Sequence, residues 1–417
     1  MASILSELEE MQKKSGIFDS KPPRVSYALG QPVLDQLLGC KYTYVLPDGN
    51  TLTQTSLGVP SGTATMFLGQ SQSGKSTLGI QSSWNIVEPF DEGAFVVWDD
   101  GENGTTDERV QGLLGIPRSV MKDKFRIVPS TKVFTYEHVF AQMMEIAALK
   151  EANKKSFMYK TGKYDMDGNE IVLYKPTVLV LDSLMKFTSD EDEQKEISDG
   201  FAAGRETVGR NKFLRNSLGI MEKYNINLFI IHHWSTDMRG NDVPKTRQLP
   251  NLPNGVWVTG GDKLILYMSS IILLMPINDK KGVKTEEENG YNGRPVKAMI
   301  SKARTAAGGY AAIMEFIQES GFDPRLTLMN LAKEKGLITG LNPRSKFASN
   351  PDVTFDTRKF ILEMGSRPEL IRTLYSECRP ILDKMIPWID MTSDHAIRGG
   401  TGKIQARDLV RELYASL

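Results

Sequence analysis

The stretch Gly69–Thr77, GQSQSGKST, constrains what this chain can fold into more than any other. It matches G-x-x-x-x-G-K-[ST], a pattern with a physical meaning: a glycine-rich turn that cradles phosphates between a strand and a helix. In a chain of this length and average composition the match would arise by chance only about 0.02 times. The flanks suit it. "TATMFL" is an apolar run fit for the preceding strand, and Lys75 to Asn85 reads as the following helix. In such a loop the backbone N–H groups of Gly69, Gln70, Ser71, Gln72, Ser73, Gly74, Lys75, Ser76 and Thr77 and the helix N-terminus meet the phosphates. Lys75 would reach the β- and γ-phosphates of ATP, and the Ser76 hydroxyl would ligate Mg²⁺. The competing reading is a glycine turn that merely enters a helix.

A strand–loop–helix unit belongs to an α/β sheet, and the rest of the chain is patterned for one. Eight apolar runs read as strands: "TATMFLG", "AFVVWDD", "FRIVPS", "TVLVLDS", "NLFIIHH", "SIILLM", "VKAMIS" and "AIMEFI". Helical stretches separate the first five, as a mostly parallel sheet requires. The last three follow closely and are expected to pair antiparallel at an edge. The chain has 417 residues, more than one ordinary core, which suggests two or three parts. Residues 1–28 read as a short amphipathic helix, with Ile4, Leu5, Leu8 and Met11 on one face, followed by the proline-marked "SKPPRV". That helix either docks on its own core or serves as an arm for a neighbouring copy. Residues 29–340 form the α/β core. Residues 156–175 read as an inserted β-hairpin turning at "DMDGNE"; the spacing faintly resembles a calcium loop, but the full ligand pattern is absent. After "GLNPRSKFASNPD", a linker by composition, residues 345–417 are helical in pattern. Their "RGGTGK" is no second phosphate loop, because its first glycine would fall on Ile397.

Composition excludes several classes. Lys+Arg and Asp+Glu both number 51, so no net field attracts nucleic acid, and any DNA contact must come from local loops or a groove formed on assembly. Cys40 and Cys378 are too few for a disulfide scaffold and lack metal spacing, which fits a reducing, cytoplasmic setting. No apolar run approaches the ~18 residues of a membrane helix, and the N-terminus lacks the apolar centre of a signal peptide.

A nucleotide loop needs carboxylate partners. Asp182 ends the apolar strand "TVLVLDS", where an acid that helps hold Mg²⁺ belongs. Hydrolysis also needs a group to orient or deprotonate water. "AFVVWDDGE" offers Asp99, Asp100 and Glu102, the last lying just beyond the strand at the edge where such sheets bind ligands. An acidic, solvated turn explains those residues equally well.

From about residue 60 to 335 the order of motifs resembles the RecA-superfamily recombinases, and more closely the phage UvsX type. "WDDGENGTTDERVQGLLGIP" resembles the family's acid–x–Glu segment with its helix and "LGI" turn, "LVLDSLMKF" its second nucleotide segment, and "EISDGFAAGRETVGRNKFLRNSLGIMEKYNINLFIIHHW" its long helix and sensor strand. "WVTGGDKLILYMSSIILLM", "ISKARTAAGG" and "ESGFDPRLTLMNLAKEKGLI" resemble the closing segments. The resemblance implies a RecA-type P-loop NTPase core, doubly wound with a mostly parallel sheet, carrying a short N-terminal helical arm and a small helical C-terminal region. It implies Glu102 as the water-activating base and His233, in the pair His232-His233, as the residue that senses the γ-phosphate. It implies an ATP-driven, Mg²⁺-dependent homo-oligomeric filament on single-stranded DNA that pairs with homologous duplex DNA and exchanges strands, aided by a loading or mediator protein. Lys302 and Arg304 match cations that reach a neighbouring subunit's γ-phosphate. A phage origin would place the protein in the cytoplasm of an infected bacterium.

Two loops would line the filament axis, near 186–208 and 235–261. In the second, Arg239, Lys245 and Arg247 stand among Gly240, Pro244 and Pro250, suiting an irregular backbone that tracks phosphates, although an ordinary long surface loop has the same look. The first begins with the acidic "TSDEDEQKE", so its DNA contacts are expected from the later Arg205, Arg210, Lys212 and Arg215. Residues up to about 58, 156–175 and 345–417 do not match the family. Two rivals remain: a hexameric helicase built on the same core, which would need an N-terminal collar that some sixty residues hardly supply, and a weakly hydrolysing recombination mediator.

Overall fold

The computed structural model describes Met11 and residues 25–129, 134–190, 203–236, 249–258, 261–277 and 292–390. All eight apolar runs form strands of one ten-stranded sheet. In chain order the strands are β1 (Ala64–Gly69), β2 (Phe95–Asp100), β3 (Phe125–Pro129), β4 (Thr177–Asp182), β5 (Ile226–Thr236), β6 (Val256–Val258), β7 (Ser270–Pro276), β8 (Gly293–Ala303), β9 (Ala311–Ile317) and β10 (Gly321–Asp323). Across the sheet they run β10-β9-β8-β7-β1-β5-β4-β2-β3, with β6 paired to the end of β5. The six strands from β7 to β3 are mutually parallel, and β8, β9 and β10 add antiparallel pairs.

The last three runs pair antiparallel as expected, β7 with β8 and β8 with β9, but the first of them is not at the edge. The run "SIILLM" is β7, parallel to β1 and inside the sheet. Its buried positions Ser270 to Leu274 explain this: a strand apolar on both faces must be covered on both, and only an interior strand is.

Alternate side chains of the parallel strands enter different layers. Val178 and Val180 of β4 join one apolar cluster, and Leu179 and Leu181 the other. The first layer is closed by α1 (Pro32–Leu38), α2 (Lys75–Val87), α3 (Asp107–Leu114), α7 (Pro324–Glu334) and α8 (Glu369–Met385). The second is closed by α4 (Tyr136–Ala152), α5 (Ala203–Tyr224) and α6 (Gly261–Tyr267). The fold is thus α/β with a large, mostly parallel central sheet covered on both faces. No described helix is long and apolar enough to cross a membrane.

The described residues that flank the core are tied to it, whereas the expected N-terminal helix with Ile4, Leu5 and Leu8, and residues 391–417, lie outside the described residues. Residues 345–390 are not simply helical. Ser345–Phe347 and Thr354–Phe355 are short strands, and Trp388–Asp390 pairs parallel with Cys40–Val45. Leu370, Leu374, Cys378 and Leu382 of α8 share the cluster of Leu34 and Leu38. The two ends of the described chain thus pack on each other, which composition at a linker does not reveal. The expected hairpin is present as Met158–Tyr164 paired with Glu170–Tyr174. Its Asp165 carboxylate accepts from the backbone N–H groups of Asp167 (3.0 Å) and Asn169 (2.8 Å), so the acid is used to close the turn. Among the described residues no cluster of His, Cys, Asp and Glu suits a metal ion. Both cysteines are buried and free.

Lys150 is buried inside α4 and donates to the carbonyls of Lys175 (2.9 Å), Tyr224 (2.7 Å) and Asn225 (3.4 Å). Burial drives its ammonium well below the usual lysine range. Its three donors satisfy chain ends of the hairpin insert and of α5, which locks both onto the core.

Candidate functional site

Parallel strands place all their carboxyl ends on one edge of the sheet. Gly69 is level with His233 and with Leu274 on its two neighbours, and Asp182 is level with Ile231 and Asp100. The residues picked out by motif, far apart in sequence, therefore meet at this edge.

The 69–77 loop turns from β1 into α2, and its two outer glycines are needed for different reasons. A Cβ on Gly69 would collide with Ser73 Oγ and crowd the Leu274 carbonyl at 2.9 Å. Gly74 is left-handed (φ +90°) and a Cβ there would lie 2.8 Å from the Phe322 ring. Lys75 follows as the first residue of α2 and is 5 % exposed. Its Nζ donates to the Gln70 carbonyl at 2.6 Å, folding the ammonium back over the loop. Burial pulls that ammonium down to about 8, against the opposing pull of Asp182 and Glu102.

Asp182 sits beneath the loop, and burial pushes its carboxyl up to about 7. A hydrogen bond from Ser76 and the charge of Lys75 lower it, while Glu102 and Asp100 raise it. Its Oδ1 is buried with no hydrogen-bond partner among the described residues. Glu102 hangs from the turn after β2, its backbone N–H bonded to the Asp182 carbonyl at 3.2 Å. Its Oε1 lies 3.3 Å from His233 Nε2. Together Ser71–Thr77, Glu102, Asp182, Ile231 and His233 line a cleft of about 220 Å³.

The other two acids of the turn point elsewhere. Asp99 is buried and takes a 3.4 Å hydrogen bond from Gln142 of α4, with burial pushing its carboxyl up to about 7. Asp100 accepts from the backbone N–H groups of Gly104 (3.3 Å) and Thr105 (2.8 Å) and so shapes the turn. Strand alternation separates neighbouring acids in this way, and only Glu102, beyond the strand, reaches the cleft.

Two contacts had no sequence signal. Arg109, one turn into α3, lines the cleft, and its Nη2 donates to Thr77 Oγ1 at 3.3 Å. Arg294 of β8 donates to the Gln72 carbonyl. A lone arginine after an N-cap, or at a strand start, is too common a surface residue to stand out.

The remaining expected residues divide. Lys302 Nζ donates to the Ile265 carbonyl (2.6 Å) and the Leu266 carbonyl (3.4 Å), and Arg304 Nη2 to Leu266 (3.1 Å), so both cap the C-terminus of α6. Burial, then the nearby Arg304, lowers the Lys302 ammonium to about 8. Lys302 is level with Ile271 and thus with Met66, about 10 Å before Gly69 along the strand. Both cations therefore sit toward the amino-terminal edge of the sheet, away from their own chain's cleft. On α5, Lys212 is exposed, whereas Arg210 is 4 % exposed and bonds Thr207 at 3.4 Å, so its guanidinium is packed inward and does not face solvent in this chain. Arg205 lies in the first turn of α5. Arg239, Lys245 and Arg247 lie outside the described residues. Their segment is bounded by an antiparallel pair in which Trp234 faces Val258 and Thr236 faces Val256, just beyond His233. The described strand ends on either side of it thus lie near the site.

No protein-family model matches the chain, and neither does any curated protein.

Proposed function

We propose that this chain is a DNA-dependent ATPase with a RecA-type P-loop core, which forms filaments on single-stranded DNA and catalyses pairing and strand exchange with homologous duplex DNA. The observation that carries the reading is the convergence, in one cleft, of Lys75, Ser76, Asp182, Glu102 and His233 from four separate segments. Each then has a role set by its chemistry. The loop N–H groups and Lys75 bind the ATP phosphates. Glu102 accepts the proton of the attacking water, and His233 holds its carboxylate in place through the 3.3 Å contact. Because His233 lies on the strand that runs directly into the 237–255 segment, a change at the γ-phosphate has a short covalent path to Arg239, Lys245 and Arg247.

Ser76 and the buried, unpartnered Oδ1 of Asp182 fit Mg²⁺, which takes one or two protein oxygens and fills its remaining positions with phosphate and water. When bound, the ion neutralises charge developing between the β- and γ-phosphates. The work belongs to the cytoplasm, with a loading protein as a further partner.

Electron microscopy of the protein with single-stranded DNA, Mg²⁺ and a non-hydrolysable ATP analogue tests the assembly. A helical filament is expected; closed rings would replace this reading by the helicase one. Within the cleft, Glu102→Gln should retain ATP binding but slow steady-state hydrolysis at least about 10²-fold, and it should lengthen the life of DNA filaments. Asp99→Asn, whose side chain bonds Gln142 and does not line the cleft, should leave turnover little changed. The reverse ranking would transfer the base to Asp99.

A further inference from the structure

Arg294 stands at the start of β8, beyond the carboxyl end of β7, on the same sheet edge as the cleft. Across 222 positions of chain its guanidinium donates to the carbonyl of Gln72, at the apex of the 69–77 loop. Two further features show that this contact is built into the fold. The guanidinium rests 5.9 Å from the ring centre of Phe316, its cross-strand partner on β9. Phe316 packs edge-on against Phe322 at 5.2 Å, and Phe322 is the ring that leaves room only for a glycine at 74. One aromatic step thus supports both the arginine and the far end of the loop. Gln72 itself is left-handed, with φ 61°, a conformation an L residue adopts at a cost and keeps only when its surroundings hold it.

In a trans peptide the C=O and the following N–H point in opposite directions. With the Gln72 carbonyl turned out to Arg294, the Ser73 N–H turns inward, where it meets the Gln70 carbonyl at 3.3 Å. That same carbonyl receives the Lys75 ammonium. If this peptide flipped, a carbonyl oxygen would face the inside of the loop and repel an anion there.

Resting on the nucleotide reading above, we propose that Arg294 is a positioning residue of the phosphate loop: by pinning the Gln72 carbonyl outward it keeps the Ser73 N–H on the inner side of the loop, where a phosphate oxygen would replace the Gln70 carbonyl as its acceptor. It supplies no group to the reaction. Its loss therefore weakens nucleotide binding and leaves the chemical step nearly intact.

The test is Mg-ATP affinity, measured by displacement of a fluorescent ATP analogue from the full chain, alongside kcat at saturating ATP on single-stranded DNA. Arg294→Ala should weaken affinity about ten- to a hundred-fold, the worth of one charge-assisted hydrogen bond. Its kcat should stay within about threefold, since transition-state contacts are untouched. Arg294→Lys, which keeps one donor, should fall between the two. The affinity loss should persist at high salt, because a direct hydrogen bond is screened far less than a distant charge. A loss that vanishes at high salt would reduce Arg294 to a remote positive charge and overturn the proposal. So would wild-type affinity in both variants, while wild-type protein still binds ATP. Wild-type protein that binds no ATP would remove the nucleotide reading and this inference together.

Discussion

A Lys75→Ala protein is expected to lose DNA-stimulated ATP hydrolysis by about 10³-fold or more, the scale for removing a fixed charge from a developing anion, and with it strand exchange. The structure gives two reasons for so large an effect. The ammonium is nearly buried and already held over the loop by the Gln70 carbonyl, so it needs little reorganisation to meet a phosphate. Its charge also helps hold Asp182 ionised. Burial has pushed that carboxyl up to about 7, and Lys75 is one of two groups pulling it back down. Without Lys75 the Asp182 carboxyl rises further, and a protonated acid is a poor Mg²⁺ ligand. One substitution thus removes the cation that meets the phosphates and weakens the hold of Asp182 on Mg²⁺. Rates of phosphate release on single-stranded DNA check this. Hydrolysis near the wild-type rate would remove the 69–77 loop from the mechanism.

The second large effect is expected at Lys302 and Arg304, and only an assembly of subunits would reveal it. Within a chain they lie toward the opposite edge of the sheet from the cleft, bonded to the end of α6. They cannot serve the nucleotide of their own subunit from there. If they serve the neighbour's, a Lys302→Ala/Arg304→Ala protein should be inactive yet keep an intact Lys75, Ser76, Asp182 and Glu102. The Lys75→Ala protein is inactive for the complementary reason. Mixed on single-stranded DNA, some interfaces join a sound cleft to sound cations, and ATPase activity should reappear with a dependence on the mixing ratio. Cations supplied in trans are worth about 10³–10⁵ in rate, so a minority of repaired interfaces is enough to see. Unfolding midpoints of the double variant separate this from the capping role. Mixed filaments of folded protein that stay inactive at every ratio would restrict Lys302 and Arg304 to holding α6.

The sequence by itself determined the sheet's strands and most of the residues that line the cleft. Every apolar run became a strand of the central sheet, because burial on both faces leaves an unbroken apolar signature such as "TVLVLD". The glycines and lysine of the loop were legible because their geometry admits few other residues: Gly74 is left-handed against a ring, and Gly69 leaves room for Ser73. Hairpin and turn were legible for the same local reason, since Asp165 closes its own turn. What depends on contacts between distant residues was not legible. The parallel setting of β7, the packing of α8 on α1, the turning of Asp99 toward Gln142 and the two arginines at the loop all needed the tertiary structure. Strand direction is set by crossover connections and a side chain's partner by register, and neither leaves a period in the local sequence. Arg294 is the clearest instance: at the start of β8 it reads as a surface cation, and only the sheet's register brings it to Gln72.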